Sequence, residues 1–133
     1  MNGAAVRVYS RARDGAVRLA PHFRVREFAC SDGTDTVFVA PELVEVLEEI
    51  RSHFGRPVRV LSGYRTETKN KAVGGAAYSR HKYGMAADIT VEGAAPSAVA
   101  AYAETLLPDR GGIGVYGSFV HVDVRPERSR WTG

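Results

Sequence analysis

The chain contains the stretch Ser79-Arg80-His81-Lys82-Tyr83-Gly84-Met85-Ala86-Ala87-Asp88-Ile89, in which a histidine and an aspartate stand seven residues apart. The glycine and alanines between them are small enough to let neighbouring backbones approach closely. The apolar residues at the end of the stretch predict a strand over residues 86–91. Because a loop leads into this strand, we expect the side chains of His81 and Asp88 to be able to reach one point.

A second polar cluster lies downstream, in Phe119-Val120-His121-Val122-Asp123-Val124-Arg125. Its strict alternation predicts a strand whose valines enter the core, while His121 and Asp123 lie on the opposite face. Two histidines and one carboxylate with a free fourth position form a ligand set that catalytic zinc accepts, and such an ion lowers the pKa of bound water to about 7. The spacing alone leaves open that these histidines are hydrogen-bonded structural residues.

Patterns of helix and strand follow one another in mixed order along the chain. The clearest helix runs from Pro41 to Phe54, where apolar residues recur at spacings of three and four, and Gly55 follows as a C-terminal cap. Two further helices are predicted, over 66–73 and 96–107, with strands over 58–61, 86–91, 112–116 and 119–125. This order predicts an α+β fold: an antiparallel sheet with helices packed on one face and the polar cluster on the other.

The N-terminal segment, residues 1–22, is predicted to be a β-hairpin extension of one domain that covers residues 1–133. Two short apolar segments, Ala5–Ser10 and Ala16–Ala20, flank Asp14-Gly15, a pair typical of hairpin turns. A chain of this length has the size of one ordinary domain. We expect it to act as a monomer.

Composition excludes several classes of function. The net charge is +3 and the basic residues are scattered, so the dense basic tract of a nucleic-acid-binding arm is absent from the sequence. No apolar run approaches the ~20 residues that span a bilayer. The start of the chain, Met1–Arg13, lacks the apolar stretch of a secretory signal, so we expect delivery by other means if the chain acts outside the cytoplasm.

Five motifs carry a resemblance: Ser62-Gly63-Tyr64-Arg65, Asn70, Gly74-Gly75-Ala76, Ser79-x-His81-x2-Gly84-x-Ala86-x-Asp88-Ile89 and Phe119-Val120-His121-Val122-Asp123. Together they resemble the zinc D-Ala-D-Ala carboxypeptidases (peptidase family M15). This family includes L-alanyl-D-glutamate endopeptidases and shares its fold with the hedgehog signalling domain. The small peptidases of phage and bacterial wall-lytic proteins look most similar. The resemblance runs from about Phe23 to Trp131.

The resemblance implies that His81, Asp88 and His121 hold one zinc ion. It implies hydrolysis of peptide bonds in the stem peptides or cross-links of peptidoglycan, and therefore action on the bacterial cell wall. Arg65 is implied to lie in the pocket, where its planar guanidinium suits a substrate carboxylate or a developing oxyanion. We expect Tyr64 and Ser79 to contribute to substrate binding. The alternatives are a salt bridge within the loop for Arg65 and a turn role for Ser79.

One position departs from the family pattern. Many relatives carry a glutamate, the general base, three residues before the last histidine ligand, and this chain has Ser118 there. Asp123 is the predicted substitute, because it shares a strand face with His121. The alternative is that Asp123 fixes the tautomer of a histidine. The missing glutamate also keeps a second function open, a catalytically inactive, zinc-stabilised module that binds the cell wall.

Overall fold

The computed structural model describes residues 5–133, which form nine strands and four α-helices. The strands are β1 (Arg7–Ser10), β2 (Arg18–Ala20), β3 (Phe23–Arg24), β4 (Thr36–Val39), β5 (Val58–Ser62), β6 (Ala86–Val91), β7 (Gly111–Val115), β8 (Val120–Asp123) and β9 (Arg128–Thr132). The helices are α1 (Arg11–Asp14), α2 (Pro41–Phe54), α3 (Glu67–Ala72) and α4 (Pro96–Leu106), and short 3-10 turns span Val25–Phe28 and Arg80–Tyr83. The predicted α+β class is confirmed.

Helix α2 and strand β6 have the bounds that the sequence predicts. Pro41 occupies the start of α2, where its missing N–H costs no intrahelical hydrogen bond. Gly55 ends the helix in the left-handed conformation, with φ of 62°, which a residue without Cβ adopts at little cost. The buried face of α2 consists of the residues that define its helical pattern: Leu43, Val44, Val46, Leu47 and Ile50.

The main sheet has five strands in the order β5-β6-β8-β7-β9. Its first four strands pair antiparallel, as predicted. The fifth strand, β9, was not predicted and pairs parallel with β7. The predicted antiparallel pairing therefore holds for the first four strands, and the edge strand β9 makes the sheet mixed.

The two faces of this sheet differ in chemistry. Ala87, Ile89, Val120 and Val122 point to one face and belong to the buried core, against which α2 and α4 pack. The alternate positions of β6 and β8 include the polar residues Asp88, His121 and Asp123, which lie on the opposite face, as the alternation predicts. Among the helices in residues 5–133, none combines the length and hydropathy of a bilayer span.

The predicted N-terminal hairpin is wrong. Strand β1 pairs with β4, and β2 pairs with β3, so the two predicted arms do not pair with each other. Ser10 instead caps the short helix α1, and the Asp35 carboxylate accepts hydrogen bonds from the Ser10 hydroxyl at 2.7 Å and from Ala12 N at 2.8 Å. Gly15 has φ of −53°, so Asp14-Gly15 does not form the turn that the hairpin needs. Residues 1–4 of the predicted extension lie outside the described residues.

Candidate metal centre

Strand register brings distant residues into one row across the main sheet. Ser62, Asp88, His121, Gly114 and Trp131 lie on successive strands β5, β6, β8, β7 and β9 at paired positions. Side chains at paired positions share a face of the sheet. The carboxylate of Asp88 and the imidazole of His121 are therefore direct neighbours on the face opposite the helices.

His81 joins this pair from the 3-10 turn that precedes β6. One donor atom from each of His81, Asp88 and His121 lies within 4.8 Å of the others. All three residues are buried. Gly84 ends the turn with φ of 71°, and a Cβ there would approach the carbonyl oxygen of Phe38 to 2.4 Å, so the chain requires glycine at this point.

The orientation of the His81 ring follows from a backbone contact. Nδ1 of His81 lies 2.8 Å from the carbonyl oxygen of Gly63. Because a carbonyl oxygen only accepts hydrogen bonds, Nδ1 carries the proton and Nε2 presents its lone pair. Nε2 lies 3.2 Å from Oδ1 of Asp88. The ring thus offers Nε2 to the centre of the cluster.

The second imidazole is oriented in the opposite sense. Nε2 of His121 lies 2.7 Å from Oδ2 of Asp123, and its Nδ1 lies 3.2 Å from Oδ1 of Asp88. Since the carboxylate of Asp123 accepts, Nε2 carries the proton and Nδ1 faces the cluster. Burial lowers the pKa of His121, but hydrogen bonds with Asp123 and Asp88 outweigh burial and leave this pKa raised. Protonation of Nδ1 and metal binding there are alternatives.

Asp123, the predicted general base, lies behind His121 and is fully buried. Its Oδ1 accepts hydrogen bonds from Gly112 N at 2.9 Å and from Nε of Arg125 at 2.9 Å, while Oδ2 accepts from Nη2 of Arg125 at 2.6 Å. Burial raises the pKa of Asp123, but hydrogen bonds from His121 and Arg125 outweigh it and hold this pKa below its usual range. Both oxygens are occupied by partners on the protein.

Arg65 and Asp88 form an ion pair at the entrance to the cluster. Nη2 of Arg65 lies 3.3 Å from Oδ2 of Asp88, which leaves Oδ1 to the two imidazoles. Burial raises the pKa of Asp88, but in the metal-free protein the contacts of its carboxylate with the imidazoles of His121 and His81 outweigh burial, so this pKa is lowered. The guanidinium also donates to the hydroxyl of Ser62 at 3.2 Å and to Oδ1 of Asn70 at 3.4 Å.

These donors fit a divalent metal ion. Two imidazole nitrogens and one carboxylate oxygen converge with their lone pairs directed inward, and each imidazole has an acceptor on its other nitrogen. Carboxylate and carbonyl partners of this kind fix ligating histidines in metal sites. The nitrogen-rich set with a single carboxylate suits zinc better than magnesium or calcium, which prefer oxygen ligands.

A groove of about 370 Å³ opens beside the cluster. His81, Asp88 and His121 line it together with Arg65, Ser79 and Arg125. Three aromatic residues, Tyr116, Phe119 and Trp131, form an aromatic wall on another part of the lining, and the sequence did not predict that they lie together in the groove. The sequence signal that could have indicated this wall is Gly114. A Cβ there would lie 2.4 Å from Cε2 of Trp131, so the indole ring fits only over glycine.

Two predicted substrate-binding residues have different positions. Ser79 lines the groove, and its hydroxyl accepts a hydrogen bond from His81 N at 3.3 Å. Tyr64 does not line the groove, since its ring packs against Phe38 with centroids 5.1 Å apart. Ser118, at the position of the relatives' glutamate, is exposed. Asp123 does not line the groove either.

Comparisons with known proteins agree with this geometry. The peptidoglycan L,D-endopeptidase MepK of Escherichia coli K12 is 33% identical over 99 residues, which cover 68% of this chain and 53% of that protein. The MepK proteins of E. coli O157:H7 and Shigella flexneri match to the same extent. The chain thus spans about half the length of the curated relatives it matches. A family profile described as Peptidase M15 matches residues 21–123, and the chain belongs to the peptidase M15 family.

Proposed function

We propose that this protein is a zinc-dependent peptidase that hydrolyses peptide bonds in the stem peptides or cross-links of bacterial peptidoglycan. The observation that carries the proposal is the convergence of His81, Asp88 and His121 within 4.8 Å at the side of an open groove. Membership of the M15 peptidases supports peptide hydrolysis. The similarity to MepK, whose name specifies peptidoglycan, supports the substrate class.

In this proposal, Nε2 of His81, Nδ1 of His121 and one carboxylate oxygen of Asp88 hold the ion. A zinc ion supplies Lewis acidity, which polarises a peptide carbonyl and makes water more nucleophilic near neutral pH. The lowered pKa of Asp88 keeps its carboxylate anionic, so this ligand is available at neutral pH. The acceptors on Gly63 and Asp123 keep both imidazoles in the ligating tautomer.

Arg65 is assigned to the substrate. Its side chain lines the groove, is only 17% exposed, and is held by Ser62, Asn70 and Asp88. A guanidinium fixed in this way binds a carboxylate or a developing oxyanion with little loss of side-chain entropy. Its pairing with Asp88 also supports a second role, in which it orients the carboxylate ligand. Ser79 contributes by holding the backbone of His81.

Asp123 is assigned to positioning rather than to proton transfer. The predicted role as general base requires a free carboxylate oxygen beside the reacting water. Both oxygens of Asp123 instead accept hydrogen bonds from His121, Arg125 and Gly112. This arrangement favours the alternative from the sequence, in which Asp123 fixes the tautomer of His121.

The name of MepK also bears on the bond and on the place of action. Because MepK is described as an L,D-endopeptidase, we favour an internal bond between an L and a D residue over removal of a terminal D-alanine. Action on peptidoglycan implies that the protein reaches the cell wall. The prediction that it acts as a monomer is retained.

A second candidate is the inactive, zinc-stabilised module that binds the cell wall. The observation that favours it is the lack of a carboxylate for a general base in the groove. Among the described residues, Asp88 is the one carboxylate in the lining, and it is already assigned to the metal. This module would bind muropeptides and zinc but release no product. Product analysis therefore separates the two functions directly.

Incubation with defined muropeptides is expected to release products in the presence of zinc, because the proposed ligand set has to be filled for hydrolysis. Stripping the protein with a chelator should stop cleavage, and added zinc should restore it. Mass spectrometry of the products identifies the bond. Cleavage that persists after complete removal of metal would refute the zinc-dependent peptidase, and zinc-dependent binding without any product would favour the binding module.

A further inference from the structure

The aromatic wall of the groove is built on the unpredicted strand β9. Trp131 lies beside His121, with ring centroids 5.0 Å apart, and its Nε1 donates to the hydroxyl oxygen of Tyr116 at 2.9 Å. Residues 124–133, which include Trp131, lie beyond the range matched by the family profile. The indole of Trp131 therefore contacts both the hydroxyl of Tyr116 and the ring of His121, a proposed metal ligand.

The ring of Tyr116 is held on more than one side. It stacks on Phe119 with centroids 4.4 Å apart and planes inclined by 8°. A Cβ built on Gly133 would come within 2.1 Å of Cε2 of Tyr116, so the backbone of Gly133 packs closely against this ring. Packing of this kind fixes the position of the hydroxyl before any ligand binds.

The hydroxyl of Tyr116 has a donor partner but, among residues 5–133, no acceptor partner. An indole N–H only donates, so the Tyr116 oxygen accepts from Trp131 and keeps its own O–H as a donor. Among residues 5–133, the hydrogen bonds that involve this hydroxyl include no acceptor for that proton. Tyr116 and Trp131 both line the groove. Within the described residues, the hydroxyl is thus a fixed donor without a protein acceptor, and Tyr116 lines the same groove as the candidate metal ligands.

We propose that the Tyr116 hydroxyl donates a hydrogen bond to a carbonyl or carboxylate oxygen of the peptide substrate, and that Trp131 positions it for this contact. The inference rests on the proposed function, since it assigns a further residue to the same groove. It also gives β9 a role, because this strand supplies the indole that fixes the donor. Loss of kcat would place the contact on an oxygen that gains charge during hydrolysis, and a rise in KM would place it on the bound substrate.

The substitution Tyr116→Phe tests this contact, because it removes one oxygen atom and keeps the ring. Its matched control is Tyr102→Phe, which removes the same group from α4, where the ring stacks on His53 outside the groove. The probe is a phosphinate analogue of an alanyl dipeptide, titrated calorimetrically into each zinc-loaded protein. We expect Tyr116→Phe to weaken binding by about 10-fold to 100-fold and to lower kcat/KM on muropeptides by about 100-fold. Tyr102→Phe should match the wild type.

Two further readouts separate contact from structure. Trp131 is the single tryptophan, so its one indole N–H resonance should shift in Tyr116→Phe, while zinc affinity stays within about twofold of the wild type. Equal affinity of wild type and Tyr116→Phe for the phosphinate would overturn the inference, and so would loss of zinc from the variant. If that affinity were equal while the wild type still cleaved muropeptides, the peptidase proposal would stand alone. If it depended on the hydroxyl but the wild type gave no product, the contact would stand and the peptidase proposal would fail.

Discussion

Replacement of His121 by alanine is expected to abolish muropeptide cleavage and to weaken zinc binding by more than about 100-fold, which exceeds the usual effect of losing an outer partner of a ligand. The variant removes one of the two inward-facing imidazole nitrogens. It also leaves the carboxylate of Asp123 without one of its partners. Calorimetric zinc titration and product analysis by mass spectrometry measure the two losses on the same sample.

His22→Ala is the matched control, because His22 is exposed and contacts Glu48 away from the groove. This variant should keep the zinc affinity and the cleavage rate of the wild type. If His121→Ala bound zinc as tightly as the control, His121 would not be a ligand. The proposed metal centre would then have to be abandoned.

Asp123→Asn is expected to weaken zinc binding by about 10-fold to 100-fold and to lower the free energy of unfolding of the metal-free protein by about 3 kcal/mol. The carboxylate accepts hydrogen bonds from Arg125, Gly112 and His121, and all of these partners donate. An amide would place its own N–H donors against one of them. Zinc titration and denaturant unfolding measure the two effects separately.

The result of this substitution also decides between the two roles of Asp123. A general base would leave zinc affinity within about twofold of the wild type while kcat fell by about 100-fold or more. Loss of a positioning residue would instead weaken zinc binding, and the loss of activity would follow from the loss of zinc. Asp109→Asn, at an exposed position after α4, provides the matched control and should change neither quantity.

The parts of the fold that the sequence predicts are those with strong local patterns. Helix α2 has proline at its start, glycine after its end and a regular apolar face, so each local preference agrees with the final structure. The alternation of valines with polar residues likewise predicts which face of β8 carries His121. These features depend on neighbours in the chain and not on distant partners.

The errors concern pairing between distant segments. The partner of β1 is β4, which the capping of α1 by Ser10 and Asp35 brings alongside, and no local pattern encodes this pairing. Strand β9 lies at the sheet edge and reads Arg128-Ser129-Arg130-Trp131-Thr132, with only partial burial. Such an edge strand lacks an apolar face, so the alternation of apolar and polar residues that predicts a strand is missing from its sequence.

The candidate site shows the same division. Asp88 and His121 stand out in the sequence because each is a polar residue within an apolar strand. The resemblance to the family then joins them with His81 as one ligand set. The aromatic wall did not stand out, since the contact of Trp131 with Tyr116 depends on the parallel pairing of β9 with β7. The position of Asp123 behind His121 also depends on the hydrogen bonds of Arg125 and Gly112, which the sequence does not reveal.

The proposed function requires one zinc ion, held by His81, Asp88 and His121, for peptide hydrolysis. It is tested most directly by adding zinc stepwise to the metal-free protein and measuring bound zinc and muropeptide cleavage in each sample. Cleavage is expected to rise in proportion to bound zinc and to reach its maximum at one ion per chain. Cleavage by the metal-free protein, or saturation with zinc without any cleavage, would contradict it.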